Sequence, residues 1–317
     1  MNGFKAAILI GVGGALVSLI LIRSVPVYGG GIFLGAPIAM GVLAGVWSRS
    51  AAKGFASGAG VVTMALLTAG CGFFFLGAEG IVCLAMAVPV ALPFGLLGVW
   101  IGYGLSGLRV NRNGLIVPAL LLAPFVTTGE YLLRLQAPLT SVESHVQIDA
   151  RPETVWPNVI RFPELPEPNE WIFRAGLAYP KRARIEGSGP GAIRYCEFST
   201  GPFVEPIQVW DEPRMLRFSV THNPEPMREL SLYDIHPPHL NGYFESKQGQ
   251  FVLTALPNGR TLLTGTTWYR QSLWPGPYWR LWSDAIVHRI HLRVLNHIKS
   301  VSESMVSQRS AGSTSRQ

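Results

Sequence analysis

The chain reads as two parts of different class: an N-terminal α-helical transmembrane bundle of four or five spans, then an α+β domain in which an antiparallel sheet is covered by a long C-terminal helix. Three observations predict this. Charged residues are 14% of the chain, against about 25% in ordinary soluble domains, and the deficit is concentrated before Ser141, where only seven basic and two acidic side chains occur. After Ser141, short β-rich runs bounded by Gly, Pro or Asp follow one another. Near the end, Tyr278 to Lys299 carries Trp282, Ile286, Ile290, Val294 and Ile298 in one row and Leu281, Ala285, His288, Leu292 and Leu295 in another, a helix that needs cover on two sides.

Four uncharged segments open the chain: Ala6 to Ile22, Ile32 to Trp47, Gly54 to Ala78 and Gly80 to Leu108. With flanking residues each reaches the roughly 20 residues needed to cross a bilayer. The later spans favour a retained anchor over a cleaved signal peptide for the first. Leu115 to Leu135 is a weaker fifth candidate, because it holds Pro118, Pro124 and Glu130; the carboxylate lies near the end, where it can reach the headgroups. Lys5, the Arg49/Lys53 pair and the Arg109/Arg112 pair fall in alternate connections, while the intervening ones carry only Arg23 and Glu79. This is the positive-inside pattern for a plasma (inner) membrane protein with a cytoplasmic N-terminus. Five spans then put the C-terminal domain outside the cytoplasm, and four leave it inside.

The spacings Gly41/Gly45, Gly54/Gly58 and Gly98/Gly102 allow close helix approach within the bundle and would also serve a homo-oligomer. No acidic or basic pair lies mid-span, which disfavours an ion-coupled transporter. After Ser141 the charges nearly balance, 19 basic against 17 acidic, so a nucleic-acid partner is not expected. Cys71, Cys83 and Cys196 form no CxxC and no disulfide framework.

In the second half, Leu135 to Ser141 is a linker and Val142 to Ile148 alternates as a half-buried strand. Asp149-Ala-Arg-Pro152 is a helix start ahead of Val155-Trp156. Strands are predicted at Ala183 to Glu186, Ile193 to Phe198, Val204 to Trp210 and Leu216 to Val220, with a turn at Gly187 to Gly191. A long loop from Thr221 to Pro238 surrounds a strand centred on Leu230 to Tyr233. Tyr243 to Leu256 and Thr261 to Tyr269 are longer strands joined at Pro257-Asn258-Gly259, where Asn-Gly tolerates positive φ at both turn positions. The long helix follows Pro275 and Pro277. The domains are expected at 1–138 for the membrane part and 139–306 for the α+β part, with 307–317 a polar, disordered tail.

Val146-Gln-Ile-Asp-Ala-Arg-Pro-Glu-Thr-Val-Trp156, the Gly187 to Gly191 turn before Arg194, Val209-Trp-Asp-Glu-Pro213 with Leu216-Arg-Phe218, and Gly265-Thr-Thr-Trp-Tyr269 before the final helix carry a resemblance. From Ser141 to Glu303 the chain resembles the polyketide cyclase/dehydrase branch of the START-like (Bet v 1-like, SRPBCC) superfamily. The resemblance implies a helix-grip fold with a cavity between a curved antiparallel sheet and the C-terminal helix, used for lipids, sterols, polyketides and other apolar ligands, and in some members for cyclisation or dehydration. It carries no catalytic residues onto named positions.

Candidate residues follow from chemistry. His288 suits proton transfer near neutral pH, with Glu197 and Tyr269 as partners in an enzymatic site. Trp282, Ile286, Arg289, Tyr195 and Trp268 are candidate ligand contacts. On β alternation, Tyr195 with Glu197 against Arg194 with Cys196 is an even choice for the inward face. His288 and His291 lie one turn apart and His236-Pro-Pro-His239 offers a second pair, but no acidic or Cys partner is fixed by spacing, so no metal and no cofactor are expected. Three readings stay open: a membrane-held module binding a hydrophobic or amphipathic small molecule (lipid, isoprenoid or polyketide-like), a cyclase/dehydratase-type enzyme on such a ligand, and a structural or regulatory membrane protein using the domain for partner contact.

Overall fold

The computed structural model describes residues 2–25, 27–108, 112–133 and 136–314; Arg109 and the end of the tail, 315–317, lie outside these. The chain divides into two compact units. The first is Met1–Gln136 with Glu229–His239 and Ser272–Pro277, and the second is Ala137–Arg228, Leu240–Gln271 and Tyr278–Gln317. The main division lies between Gln136 and Ala137, and two short segments from the C-terminal half belong to the first unit.

Among the described residues the first unit holds five helices long and apolar enough to cross a membrane: α1 (Gly3–Ser24), α2 (Ala36–Ser50, long enough with the helical stretch Gly31–Gly35 before it), α3 (Phe55–Phe75), α4 (Ile81–Leu105) and α5 (Arg112–Leu133). The weak fifth candidate is therefore a full-length helix, Pro118 and Pro124 included. Gly41 and Gly45 of α2 face Gly98 and Gly102 of α4 so closely that an added Cβ on any of the four would meet the partner's backbone. These spacings are spent on packing inside the chain. Glu130 does not reach for headgroups. Its carboxylate accepts from the backbone N–H of Gly30 at 2.7 Å and of Gly31 at 3.3 Å, at the π-helical stretch Gly31–Gly35 that leads into α2. The unpaired donors and positive dipole at a helix start attract a carboxylate more locally than the membrane surface does.

The second unit begins with β1 (Leu139–Ile148) and the short helices α6 (Pro152–Ile160) and α7 (Trp171–Arg174). Then come β2 (Pro180–Glu186), β3 (Ile193–Phe198), β4 (Gly201–Asp211), β5 (Met215–Ser219), β6 (Phe244–Leu256), β7 (Arg260–Gln271) and α8 (Gly276–Thr314). The strands form one antiparallel sheet in the order β1-β7-β6-β5-β4-β3-β2. With the long helix it makes the predicted helix-grip fold. The hairpin between β6 and β7 turns at Asn258 (φ 66°) and Gly259 (φ 70°), as Asn-Gly predicts. The α6 helix starts with Pro152 in its first turn, where the missing N–H costs nothing, and Arg151 rather than Asp149 is its N-cap. The core joins Val155, Trp156 and Val159 of α6 to Ile148, Leu253 and Leu263 of the sheet and to Val294, Leu295 and Ile298 of α8.

Three expectations need correction. No strand forms at Leu230 to Tyr233: the segment belongs to the first unit, where the Leu230 carbonyl accepts from Ile81 N–H at 3.0 Å. Its apolar alternation imitates a strand, but its backbone serves a helix start. The tail from Ser307 is helical to Thr314, because α8 meets no helix-stopping Pro there and simply propagates. The second apolar row of α8 is covered only toward its C-terminal end: Leu281 is 70% exposed and Ala285 and His288 are exposed too, while Leu295 is buried. The buried stripe runs instead through Val287, Val294, Leu295, Ile298 and Ser302.

Candidate ligand cavity

Strand alternation sets the cavity wall. On β3, Arg194, Cys196 and Phe198 point to the inner face and Tyr195 and Glu197 to the outer; β4 opposes them with Phe203 and Glu205, paired in register as Cys196↔Phe203 and Arg194↔Glu205. Phe218 of β5, Phe244 and Phe251 of β6, and Gly265 and Thr267 of β7 continue the wall, and Ile290, His291 and Val294 of α8 close it. The cavity volume is about 110 Å³. An apolar cavity of about 150 Å³ accepts benzene, so this smaller one takes a short chain segment as it stands and a ring once side chains shift.

Two polar groups are set into this wall. The Arg194 and Glu205 side chains, 2% and 8% exposed, form an ion pair, and Arg194 Nε also donates to the Ile160 carbonyl at 3.1 Å. The guanidinium sits among the rings of Phe162, Phe218 and Phe251, 5.4 to 5.6 Å from each centroid. Beside it, burial pushes the Cys196 thiol up to about 12, with the Glu205 charge adding to the effect. Cys196 is thus a neutral wall residue and no nucleophile. On the helix side, His291 Nε2 is 2.7 Å from the Thr267 hydroxyl and Nδ1 is 3.1 Å from the Ser144 hydroxyl, which in turn lies 2.7 Å from His288 Nδ1. Burial lowers His291 to about 4, helped by the neighbouring His288, so its ring is neutral at pH 7.

None of the eight residues singled out from the sequence lines this cavity. His288 is exposed and reaches the wall only through Ser144. Glu197 is held on the outer face by Arg182 at 2.6 Å and Arg184 at 3.2 Å, and hydrogen bonding from Arg182 keeps its carboxyl below the usual range. Tyr195 lies under the Arg184 guanidinium, 4.0 Å from ring centroid to carbon. Tyr269 is buried against Phe244, and its hydroxyl donates to Asp284 at 2.5 Å. Burial, with this bond, pushes its phenol up to about 12. Trp268 falls on the strand face opposite Thr267 and Tyr269. Trp282 and Ile286 are partly buried outside the cavity, and exposed Arg289 approaches Glu170 at 3.7 Å.

Sequence reasoning left Arg194 as one side of an even choice, ranked His291 behind His288, and passed over Glu205 and the five phenylalanines. A signal for β3 was present: Arg182, Arg184 and Glu186 share one parity on β2, and an outward Glu197 lies across from Arg182 where it can pair with both arginines. His288 and His291 share the Ser144 hydroxyl through their Nδ1 atoms. Among the described residues, the group with metal-ligand spacing lies in the first unit.

No family model and no curated relative matches the chain. Solved structures do. Norcoclaurine synthase from Thalictrum flavum is 10% identical, with 54% of this chain and 98% of that chain covered and a TM-score of 0.36. The aromatase/cyclase from Streptomyces sp. R1128 is 16% identical, covering 53% of this chain and 96% of that one with a TM-score of 0.34. A protein from Nitrosospira multiformis is 16% identical, with 51% and 94% covered and a TM-score of 0.34.

Proposed function

We propose that the protein is a membrane-anchored helix-grip module that binds a hydrophobic or amphipathic small molecule between its sheet and α8. The observation that carries this reading is the phenylalanine-lined cavity with His291 and Thr267 at one edge: an apolar chain segment fits the wall, a ring does so once side chains shift, and a polar end meets the imidazole and hydroxyl. A tether keeps such a cavity near membrane-dissolved ligands and raises their effective concentration.

Charge and the first unit support an extracytoplasmic side for the domain under this reading. The Leu230 carbonyl meets Ile81 at the α3–α4 connection, and Trp274 N–H reaches the Tyr28 carbonyl in the α1–α2 connection. Both connections are the ones poor in basic residues, which are extracytoplasmic by the positive-inside rule. With five spans, the proposed location of the α+β domain is outside the cytoplasm of a plasma (inner) membrane. A phosphatase reporter fused after Ser307 is expected to be active and a fluorescent-protein fusion dark; the reverse pattern would overturn the five-span topology.

Native mass spectrometry of the detergent-extracted full chain tests the binding reading. A retained small molecule is expected, displaced in Val294→Trp, which fills the cavity from α8. Absence of any adduct, together with no uptake of a fluorescent fatty acid or aromatic probe, would overturn it.

An enzymatic role on the same ligand has one observation in its favour: a neutral, buried imidazole at the cavity edge suits proton abstraction. Under this reading His291→Gln abolishes turnover of an enolisable ligand while retaining it, and His288→Gln does not. Equal turnover in wild type and His291→Gln would remove the enzymatic reading and leave binding intact.

A further inference from the structure

The first unit contains a group of side chains that the cavity does not involve. Glu79 lies in the α3–α4 connection, Cys83 in the first turn of α4, and Glu229 and His239 at the two ends of the segment Glu229–His239. One ligand atom from each lies within 4.8 Å of all the others. Cys83 Sγ is 3.3 Å from His239 Nε2, Glu229 Oε1 is 3.8 Å from the same nitrogen, and Glu79 Oε2 is 3.5 Å from Nδ1.

The surroundings look built for an occupant. Glu79 and His239 are each 8% exposed, and the Glu229 side chain is fully enclosed. His239 Nδ1 is buried without a hydrogen-bond partner, and the buried Glu229 oxygens have none beyond Cys83, itself a member of the group. Gly80 admits the Glu229 side chain where any Cβ would collide with it. Tyr28 braces the group by donating from its hydroxyl to Glu79 Oε1 at 2.8 Å and by laying its ring against His239, centroids 4.9 Å apart. Pro237 and Pro238 stiffen the approach to His239.

Charge decides what the occupant is. Two carboxylates and a thiol share a buried space, and among the described residues no Lys or Arg forms an ion pair with either carboxylate. Burying anions without a counter-charge costs several kcal/mol per ion, and a divalent cation removes that cost. Hydrogen bonding from Cys83 reaches Glu229 but brings no positive charge, so it does not offset the burial of the carboxylates. The mixture of one sulfur, one imidazole and two carboxylates suits zinc, which accepts all three donor types at about 2.0 to 2.3 Å. Contracting the observed separations to the edges of such a tetrahedron, roughly 3.3 to 3.8 Å, needs only small side-chain shifts.

We propose that Cys83 Sγ, one ring nitrogen of His239 and one oxygen each of Glu79 and Glu229 bind a single zinc ion. The four protein donors make a closed site, so its role is structural: it clasps the Glu229–His239 segment to the start of α4.

The test uses the full chain in detergent, loaded with Zn²⁺, dialysed against a weak chelator and analysed for metal. Roughly one zinc per chain is expected, falling at least tenfold in Cys83→Ala, Glu229→Gln and His239→Gln. His236→Gln should keep its zinc, because His236 is exposed beside Asp234. Cobalt loading of the wild type reads the site without any variant: a near-ultraviolet thiolate-to-cobalt band is expected. Wild type that holds no metal, a cobalt spectrum without the thiolate band, or Cys83→Ala and His239→Gln that retain full metal would each overturn the proposal. Ligand retention in the sheet–α8 cavity is a separate measurement, so the two readings fail independently.

Discussion

Arg194 and Glu205 face each other across β3 and β4 and form an ion pair inside the aromatic wall of the cavity. The pair is the polar anchor of an otherwise apolar surface. Its cost is met by geometry, with the guanidinium also bonded to the Ile160 carbonyl and ringed by three phenylalanines.

Removing one partner should therefore be far worse than removing both. Glu205→Leu strands a buried guanidinium and is expected to destabilise by about 3–5 kcal/mol. Arg194→Met with Glu205→Leu should recover most of that loss. Thermal unfolding of the full chain followed by tryptophan fluorescence measures both, and a double variant no better than the single one would contradict the account.

His291 makes stability depend on pH in a predictable direction. Its folded value is about 4 and its reference value 6.5, so between these the unfolded state binds the extra proton. Stability is full above about 6.5 and falls as pH drops through the window toward 4, by up to about 3 kcal/mol. In His291→Asn that part of the slope should vanish, so the difference between the two denaturant-midpoint profiles isolates it.

Tyr269 and Asp284, 2.5 Å apart, tie β7 to the first turns of α8. Tyr269→Phe deletes a bond to a charged acceptor and should cost about 1.5–3 kcal/mol. Retention of a bound small molecule should not change, because the hydroxyl is turned to Asp284 and away from the cavity. Loss of ligand with unchanged stability would return Tyr269 to the site.

Within the bundle, Gly41→Ala places a methyl against the backbone of α4 at Gly95 and Gly98. The two helices must separate, at a cost of about 1–3 kcal/mol. Gly60→Ala, on an open part of α3 with nothing near the added carbon, is the matched control and should be neutral or slightly stabilising. Detergent-resistance melts of the two variants give the comparison.

Much of this architecture was legible in the chain itself. Apolar length marks the helices, two-residue alternation marks β1, β-rich runs bounded by Gly, Pro or Asp mark β3 and β4, and Asn258-Gly259 marks the hairpin, because each is a property of neighbours in sequence. Which face of a strand or helix looks inward is not. Ile193 to Phe198 carries apolar side chains on both parities, so only pairing with β2 and β4 turned Arg194 and Cys196 inward and left Tyr195 and Glu197 outside. On α8 the rotation that buries Val287, Val294 and Leu295 is set by the sheet it packs on, and it brings His291 to the cavity in place of His288. The cluster of Glu79, Cys83, Glu229 and His239 spans 160 positions of the chain, and no local pattern links its members. Tertiary folding alone brought those donors together, since buried charge is compensated by whatever lies nearby in space rather than in sequence.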